Sequence, residues 1–544
     1  MRISYTVNVA VLTLAASSFL VLACNFAFWR VFLEATGGIS WRNVPLHAAT
    51  ALIFIALFNA ALTLLSFRPL IKPVLVALFL STSVAAYFMS SYGIAIDAAM
   101  MRNVFETDVR EASELLSWQL GTSVLLLGVL PSVAVWRARI GFAPFLRDML
   151  IKAGIVVVSL LLAGGLLISY FKTYAPTFRE HRELRLLLAP TNFINAGKRY
   201  ILDKFSRPLV VAEIGTDAIK GPRWAGHPRR TVSVIVVGET ARAMNFSLNG
   251  YARNTNPELS KQPDLINFSD VQSCGTATAV SVPCIFSGMG RENYSDAEAE
   301  RRQGLLDVLS HAGFRVIWRD NNSGCKGACD RIEHEDFSQP VAGNPLCNSE
   351  ECFDEHLLDG LPDVIRSASG DLVIVLHQKG SHGPAYWKRY PPEFGRWGPV
   401  CETNELEKCS TQSIVDAYDN TILYTDRFLS KTISLLRAAA ETEGVDTSLM
   451  YFSDHGESLG EKHMYLHGAP YIISPEEQRR VPLMIWLSDS FRSRFHIDQT
   501  CMAVRARQSF SHDNVFHSVL GMLNVITAVY NPALDIFRPC DRIV

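Results

Sequence analysis

The feature that most constrains this chain is a set of five long stretches without Asp, Glu, Lys or Arg, all within its first 171 residues. Each contains 19 to 27 residues, and a helix needs about 20 apolar residues to cross the hydrocarbon core of a bilayer. The first stretch also has the composition of a signal peptide, but the four later stretches favour a membrane domain. We therefore predict five transmembrane helices, in the stretches Ile3–Trp29, Asn43–Phe67, Pro73–Ile96, Leu115–Trp136 and Ala153–Phe171.

The charges of the short loops indicate how these helices are oriented. The N-terminus and the loops after the second and fourth stretches carry seven Lys/Arg and one acidic residue. The loops after the first and third stretches carry four Lys/Arg and six acidic residues. Because basic loops remain in the cytoplasm, the N-terminus is predicted to be cytoplasmic and the rest of the chain external. The basic residues that closely follow the fifth stretch favour the opposite orientation: Lys172, Arg179, Arg182 and Arg185.

We therefore predict three parts: a transmembrane domain at residues 1–171, a link at 172–215 and an external domain at 216–544. The link is predicted to form two short basic helices, Arg179–Leu188 and Asn195–Phe205, either on the membrane surface or as a solvated connector. The formal net charge of −2 over 544 residues gives no support for nucleic-acid binding.

The cysteines indicate an oxidising compartment for the external domain. Cys24 lies in the first apolar stretch, and the other ten cysteines all follow residue 270. An even number of cysteines in an exported domain is typical of disulfides, and a periplasmic domain fits this pattern. The alternative is a reduced four-thiolate zinc cluster. It would be formed by Cys325, Cys329, Cys347 and Cys352.

The external domain alternates short apolar runs with helical segments. The runs are rich in β-branched and aromatic residues, which predicts an α/β domain with a largely parallel sheet. The predicted strands are Val232–Val237, Phe314–Trp318, Leu372–Leu376, Leu449–Phe452 and Pro482–Leu487. The predicted helices include Ala299–Ala312 and Ile414–Ala440.

Polar residues follow four of these strands directly. Glu239, Asn322, His382 and the pair Asp454-His455 come just after strand ends. Ligand sites in parallel sheets lie beyond the carboxyl ends of the strands, so these side chains are predicted to meet. Glu, Asp and His are zinc ligands, and the pattern therefore predicts a catalytic metal site.

A nucleophile is available in the segment from Cys274 to Cys284, which contains several hydroxyl groups. A threonine at a helix N-terminus beside a metal can be deprotonated and can form a covalent intermediate. The alternative is that Thr276 or Thr278 only caps a helix.

Three motifs, together with the five apolar stretches, resemble the phosphoethanolamine transferase family, which includes lipid A-modifying and mobile colistin-resistance enzymes. They are Gly238-Glu-Thr-Ala-Arg242, the segment Ser273–Cys284 with Thr278 inside it, and Ser453-Asp-His-Gly-Glu-Ser-Leu-Gly460. The resemblance covers the whole chain. It implies an N-terminal five-helix transmembrane domain and a periplasmic α/β domain of the alkaline phosphatase and sulfatase type.

The resemblance also implies roles for individual residues. The implied metal ligands are Glu239, Thr278, Asp454 and His455, and Thr278 is also the implied nucleophile. His382 and His467 would transfer protons or bind a second zinc ion. The implied substrate-binding residues are Asn103, Thr107, Glu111, Asn322, Ser323 and Lys326. The spacing of Asn103, Thr107 and Glu111 places them on one helix face, which is equally compatible with a solvated loop helix. The five expected disulfides, between cysteines adjacent in sequence, are typical of the chromosomal members.

The implied reaction transfers phosphoethanolamine from phosphatidylethanolamine to a lipid A phosphate and releases diacylglycerol. A phosphothreonine would be the intermediate, zinc the cofactor, and polymyxin resistance the consequence. The enzyme is expected to be a monomer in the bacterial inner membrane, in contact with membrane lipids. Transfer to an inner-core sugar and phosphoglycerol transfer to a glycan are the alternatives.

Two more distant functions fit less well. A sulfatase needs a Cys or Ser followed by x-Pro-x-Arg, which the region around Cys284 lacks. A membrane-anchored sensor would not need the metal ligands.

Overall fold

A computed structural model describes residues 6–106, 113–205 and 210–541. The chain forms two compact units. The first comprises Met1–Met101 and Leu116–Tyr200, and the second comprises Arg102–Leu115 and Ile201–Val544. These are units of packing, and the functional boundaries at residues 171 and 215 stay a prediction.

The first unit is helical apart from two short parallel strands, β1 Thr6–Asn8 and β2 Arg139–Gly141. Helix α5 begins in this unit, and its residues from Arg102 onward pack with the second unit. The helices are α1 Val9–Ala23, α2 Phe26–Ala35, α3 Val44–Leu64, α4 Ile71–Ser91, α5 Ala98–Glu106, α6 Trp118–Arg137, α7 Phe145–Ser169, α8 Phe171–Glu180 and α9 Thr191–Phe205.

Helices α3, α4, α6 and α7 are each long and apolar enough to cross a membrane, and α1 with α2 gives a fifth span if the bent pair is one span. The predicted span within Ile3–Trp29 corresponds to two helices rather than one, because the chain bends by 61° between α1 and α2. Asn25 causes the break. Its buried amide donates to the carbonyls of Leu20 and Ala189, both at 2.8 Å, and accepts from the Ala189 amide.

The fifth span begins earlier than predicted. Helix α7 starts at Phe145 and includes Asp148 and Lys152, which the prediction of a span at Ala153–Phe171 placed outside. The two charges lie one turn apart and form an ion pair of 2.7 Å, and Lys152 also donates to the Ser66 carbonyl at 2.6 Å. A paired charge that also donates to the backbone can be accommodated near the end of a membrane helix.

The predicted link differs from the structure in its first half. The helix predicted at Arg179–Leu188 is wrong, because α8 ends at Glu180 and a single 3₁₀ turn follows at Arg182–Arg185. The second helix is confirmed and is longer than predicted, since α9 begins at Thr191. The residues up to Tyr200 pack with the membrane helices rather than forming a free connector.

The second unit is built on one eight-stranded sheet with the order β13-β5-β12-β9-β4-β8-β6-β7. All five predicted strands are present, and β5, β7 and β13 were not predicted. The sheet strands are β4 Thr231–Gly238, β5 Ile266–Gln272, β6 Arg315–Asp320, β7 Glu333–Asp336, β8 Leu372–His377, β9 Asp446–Ser453, β12 Arg480–Leu487 and β13 Ser509–Ser511. Two small antiparallel pairs are formed by β3 Ile219–Lys220 with β14 Val525–Ile526 and by β10 Ser458–Leu459 with β11 Tyr465–Leu466.

The directions of the strands determine where their ends meet. Strands β4, β6, β7, β8 and β9 run parallel, and β12 runs antiparallel to both β9 and β5. Strand β5 therefore runs in the same direction as β9, and β13 is parallel to β5. The carboxyl ends of seven strands and the start of β12 consequently share one edge of the sheet.

Helices cover this sheet. The predicted helix Ile414–Ala440 is confirmed as α14, Thr411–Thr442. The predicted helix Ala299–Ala312 is wrong in its first half, because α12, Leu305–His311, begins only after Gly304, whose amide donates to the Asp307 carboxylate at 2.8 Å. The helices are α10 Thr278–Ser287, α11 Asp296–Ala299, α12 Leu305–His311, α13 Leu361–Ser367, α14 Thr411–Thr442, α15 Glu476–Arg479, α16 Asp489–Arg494, α17 Gln499–Arg505 and α18 Asp513–Met522.

The ten outer cysteines form five disulfides between partners adjacent in sequence, which confirms the expected pairing. The pairs are Cys274–Cys284, Cys325–Cys329, Cys347–Cys352, Cys401–Cys409 and Cys501–Cys540. The four-thiolate zinc cluster is wrong, because its four members are paired in two disulfides. Cys24 is buried and free.

Removing Cys501–Cys540 is expected to destabilise the second unit most, because this bond joins residues 39 apart in sequence. The chain-entropy model gives it about 4 kcal/mol and gives Cys401–Cys409 about 2.5 kcal/mol. Denaturant unfolding of the double Ser variants of the full chain measures both. The larger loss in the Cys401/Cys409 variant would contradict the prediction, as would free thiols at these positions in oxidised protein.

Candidate active site

Three predicted metal ligands meet at the carboxyl edge of the sheet. Glu239 follows β4, and Asp454 and His455 follow the neighbouring β9; all three are 0% exposed. One ligand atom from each lies within 4.8 Å of the others. His455 Nε2 is 3.3 Å from a Glu239 oxygen and 3.4 Å from Asp454 Oδ2. We call these three residues the triad.

Thr240 holds two members of the triad in place. Its backbone has a φ of 56°, which is unfavourable for a β-branched residue. In this conformation its amide donates to Asp454 Oδ1 at 3.2 Å, and its hydroxyl donates to Glu239 Oε1 at 2.8 Å. The strained backbone is thus compensated by contacts that orient both carboxylates.

Within the segment from Cys274 to Cys284, Thr278 is the residue whose hydroxyl contacts side chains of the triad. It is the first residue of α10, and its Oγ donates to Glu239 Oε2 at 3.0 Å and lies 3.3 Å from His455 Nε2. Thr276 instead donates to the Ala469 carbonyl, and Ser281 donates to the Asp454 carbonyl. The N-cap position is occupied by Ala277, so Thr278 is not the residue that caps this helix.

The charges of the triad suit a bound cation. Burial and the neighbouring Glu239 raise the pKa of Asp454 to about 7. Burial acts against ionisation of Glu239 too, but the hydrogen bond and charge of His455 hold the pKa of Glu239 well below its usual value. Asp454 Oδ2 is buried and has no hydrogen-bond partner among the described residues. A metal ion coordinated by Glu239, Thr278, Asp454 and His455 would satisfy this oxygen and offset both carboxylates.

Two predicted histidines lie beside the triad. The ring of His467 is 4.5 Å from that of His455 and 5.3 Å from that of His382, measured between centroids. Nδ1 of His467 lies 3.2 Å from Glu457, whose carboxylate is fully buried. His382 and His467 are therefore placed to exchange protons with a group bound at the triad.

The predicted substrate-binding residues differ in whether they contact the triad. Asn322 donates to Glu239 Oε2 at 2.8 Å, so it belongs to the site itself. Ser323 and Lys326 lie in the same loop and bind each other, since the Lys326 ammonium donates to the Ser323 hydroxyl and carbonyl. Asn103 is half-buried on α5. Thr107 and Glu111 lie outside the described residues.

Sequence reasoning assigned no role to three residues that support the site. Glu457 holds His467, and the pair of Asp320 and His377 lies behind Asn322. Asp320 Oδ2 is 2.9 Å from Nδ1 of His377, which is fully buried. All three residues lie at or just after strand ends in the sequence, which was the available signal.

Asp320→Asn is expected to lower the stability of the full chain by about 3–5 kcal/mol, because it leaves the buried His377 without its counter-charge. Although burial opposes both shifts, the pair lowers the pKa of Asp320 and raises that of His377. The ion pair therefore stabilises fully between about pH 4 and pH 6.5. Its contribution falls as the pH drops through the lowered Asp320 pKa or rises through the raised His377 pKa.

Thermal unfolding at pH 6 compares this variant with Asp363→Asn, which changes an exposed carboxylate. Equal melting temperatures for the two variants would contradict the prediction.

Comparison with known proteins shows the family to which the chain belongs. The sequence model described as phosphoethanolamine transferase EptA/EptB matches residues 54–205. Phosphoethanolamine transferase EptA of Escherichia coli K12 is 39% identical over 540 residues, which is 99% of this chain and 98% of that protein. The chain belongs to the phosphoethanolamine transferase EptA/EptB family. It is therefore an enzyme of the phosphoethanolamine transferase class.

Two further relatives match most of the length of this transferase. Phosphatidylethanolamine transferase Mcr-1 of E. coli is 39% identical over 477 residues, covering 84% of this chain and 88% of that protein. The lipooligosaccharide phosphoethanolamine transferase A of Neisseria meningitidis, an integral membrane protein, has a TM-score of 0.95 and 32% identity. The match covers 99% of this chain and all of that one. The sulfatase family model matches residues 231–525, which with this structure confirms the predicted fold.

Proposed function

We propose that this transferase moves phosphoethanolamine from phosphatidylethanolamine to a phosphate of lipid A, through a covalent intermediate on Thr278. The observation that supports this most is the position of the Thr278 hydroxyl, within hydrogen-bond distance of Glu239 and His455 at the start of α10. The names of two relatives support the proposed donor and acceptor: one is a phosphatidylethanolamine transferase and another is a lipooligosaccharide phosphoethanolamine transferase.

The proposed cofactor is zinc. Two carboxylates, one imidazole and one hydroxyl are donors that zinc accepts. Asp454 Oδ2, which has no hydrogen-bond partner in the described part of the chain, fits a coordinating atom. Glu239, Thr278, Asp454 and His455 would hold this ion, and His382 and His467 are the candidates for a second one. Bound zinc would stabilise negative charge on the threonine oxygen and on the phosphoryl oxygens.

The residues of the chain carry the two displacements as follows. Thr278 Oγ gives its proton to His382 or His467, which lie beside the triad, and bonds to the phosphorus while the bond from phosphorus to the diacylglycerol oxygen breaks. The same histidine then gives that proton to the leaving diacylglycerol oxygen. In the second step a lipid A phosphate oxygen bonds to the same phosphorus, and the bond to Thr278 Oγ breaks. The attacking phosphate gives its proton to the same histidine, which passes it to Thr278 Oγ, so the enzyme returns to its starting state.

The proposed location is the bacterial inner membrane with the second unit in the periplasm. The five disulfides require an oxidising compartment, and the loop charges favour a cytoplasmic N-terminus. A monomer satisfies this proposal, since the triad and Thr278 come from one chain.

The deciding experiment combines a cellular and a purified assay. Lipid A from cells that express the protein is expected to gain the mass of phosphoethanolamine, and the purified enzyme is expected to release diacylglycerol from phosphatidylethanolamine. Unchanged lipid A together with diacylglycerol release would favour an inner-core sugar as acceptor. If phosphatidylethanolamine is not consumed but phosphatidylglycerol is, the enzyme is a phosphoglycerol transferase.

A further inference from the structure

A cluster of two arginines and a tyrosine lies beside the turn that leads to Thr278. The Arg291 guanidinium carbon is 3.0 Å from the centroid of the Tyr471 ring, and that of Arg479 is 5.4 Å from the same centroid. One aromatic ring thus contacts two cations. We call these three residues the cluster.

The positive charge of this cluster is poorly compensated. Among the described residues, neither guanidinium forms an ion pair with a carboxylate, and Arg479 Nε is buried without a hydrogen-bond partner. Burial lowers the pKa of Arg291, and the charge of Arg479 lowers it further, while Tyr471 and Asp513 offset part of this effect. Two like charges lie close together, and one buried donor has no partner among the described residues. This arrangement favours the binding of an anion.

The next arginine along the chain shows the contrast. Arg480 lies 3.3 Å from the Glu476 carboxylate and 3.7 Å from that of Asp270, and it also donates to the Ser269 carbonyl. Its charge is thus compensated by neighbours in a way that the charge of Arg479 is not.

The cluster is attached to the turn that carries the nucleophile. Arg291 Nη1 donates to the Cys274 carbonyl at 2.6 Å, and the Tyr471 hydroxyl donates to the Ser273 carbonyl at 3.0 Å. The Ser273 amide donates to the Arg479 carbonyl at 2.7 Å. One end of this turn therefore contacts the cluster, and its other end places Thr278 against the triad.

From these contacts we infer that Arg291 and Arg479 bind a second phosphate of the acceptor, distinct from the phosphate that receives phosphoethanolamine. Guanidinium groups bind phosphate oxygens through paired, charge-assisted hydrogen bonds, and Arg479 Nε is a free donor for one of them. Cys274 and Thr278 are four residues apart, so their Cα atoms lie at most about 14 Å apart. A disaccharide with a phosphate at each end can span such a distance.

This inference rests on the proposed function, and the two half-reactions separate them. Diacylglycerol release and formation of the phosphothreonine need only the donor, whereas turnover needs the acceptor. Arg479→Gln in the full-length enzyme is expected to leave the diacylglycerol burst and the mass of the covalent adduct unchanged. It is expected to lower kcat/KM for bisphosphorylated lipid A by about tenfold or more, the loss expected for hydrogen bonds to a charged group.

Monophosphorylated lipid A is the second acceptor in this test. The wild-type enzyme is expected to use it poorly, and Arg479→Gln is expected to slow it no further, because the group that the arginine would bind is absent. Arg291→Lys keeps the charge and is expected to give a smaller loss, again only with the bisphosphorylated acceptor. Arg480→Gln is the matched control and is expected to behave as wild type with both acceptors.

Three outcomes would overturn the inference. Arg479→Gln could leave both acceptors unaffected, could slow both equally, or could alter the diacylglycerol burst, which would place its effect on the nucleophile turn. If the wild-type enzyme forms no covalent adduct with the donor, the proposed function fails, and the inference fails with it.

Discussion

Thr278→Ala is expected to abolish phosphoethanolamine transfer, with a loss of roughly a thousandfold or more, as for the removal of other catalytic nucleophiles. Of Thr276, Thr278 and Ser281, only Thr278 has a hydroxyl that contacts side chains of the triad, since the other two donate to backbone carbonyls. Intact-mass analysis after incubation with phosphatidylethanolamine is expected to show an adduct of phosphoethanolamine on the wild-type chain and none on the variant.

Thr276→Ala is the matched control, because it removes a hydroxyl from the same turn without touching the triad. This variant is expected to keep the adduct, although it loses the hydrogen bond to the Ala469 carbonyl. Thr278→Ser keeps a hydroxyl at the same position and is expected to retain part of the activity. Transfer by Thr278→Ala at a rate near that of wild type would show that the nucleophile lies elsewhere.

The membrane helices could be predicted because a bilayer demands long uncharged segments, but their interruptions could not. The break at Asn25 depends on Ala189, which is 164 positions away in the sequence. The charged start of α7 depends on the mutual neutralisation of Asp148 and Lys152 and on the Ser66 carbonyl. Each of these features is set by a partner that a local pattern does not contain.

More of the site than of the membrane helices could be predicted, because the site residues follow strand ends that share one edge of the sheet. Strand β5 was missed because its sequence includes Asn267, Ser269 and Asp270 and does not form an apolar run. Its pairing with β12 and β13 determines it. This strand places the turn that carries Thr278 at the common edge of the sheet. The sequence motifs therefore indicated the chemistry of Thr278 but not its position. The role of Glu457 could not be predicted, because it depends on the folded loop that brings His467 next to Glu457.

Asp454→Asn is expected to remove metal binding without unfolding the protein. The introduced amide would keep the shape of the side chain and would remove one of two carboxylates that are buried side by side. The metal-free variant is expected to be at least as stable as the metal-free wild type, because one buried charge is gone. Zinc at a hundred times its Kd is expected to stabilise only the wild type, by about 2.7 kcal/mol. Elemental analysis and thermal unfolding, each with and without a chelator, measure both effects.

The same substitution is expected to remove the phenotype. Each phosphoethanolamine added to a lipid A phosphate supplies an ammonium and offsets about one negative charge, so polycationic polymyxin binds the outer membrane less well. Expression of the wild-type protein in a susceptible Gram-negative host is therefore expected to raise the polymyxin concentration that stops growth, and Asp454→Asn is expected not to raise it. Asp363→Asn, at an exposed carboxylate, is the control and is expected to match wild type.

The mass of lipid A connects the metal measurement to the phenotype. If Asp454→Asn lost zinc but still raised tolerance and still modified lipid A, the triad would not be the metal site that transfer requires. If the wild type raised tolerance while lipid A stayed unmodified, the resistance would arise from something other than transfer to lipid A. Agreement requires zinc content, lipid A modification and tolerance to be lost together in this variant, because one buried carboxylate supports all three through the metal ion that it would share with the Thr278 hydroxyl.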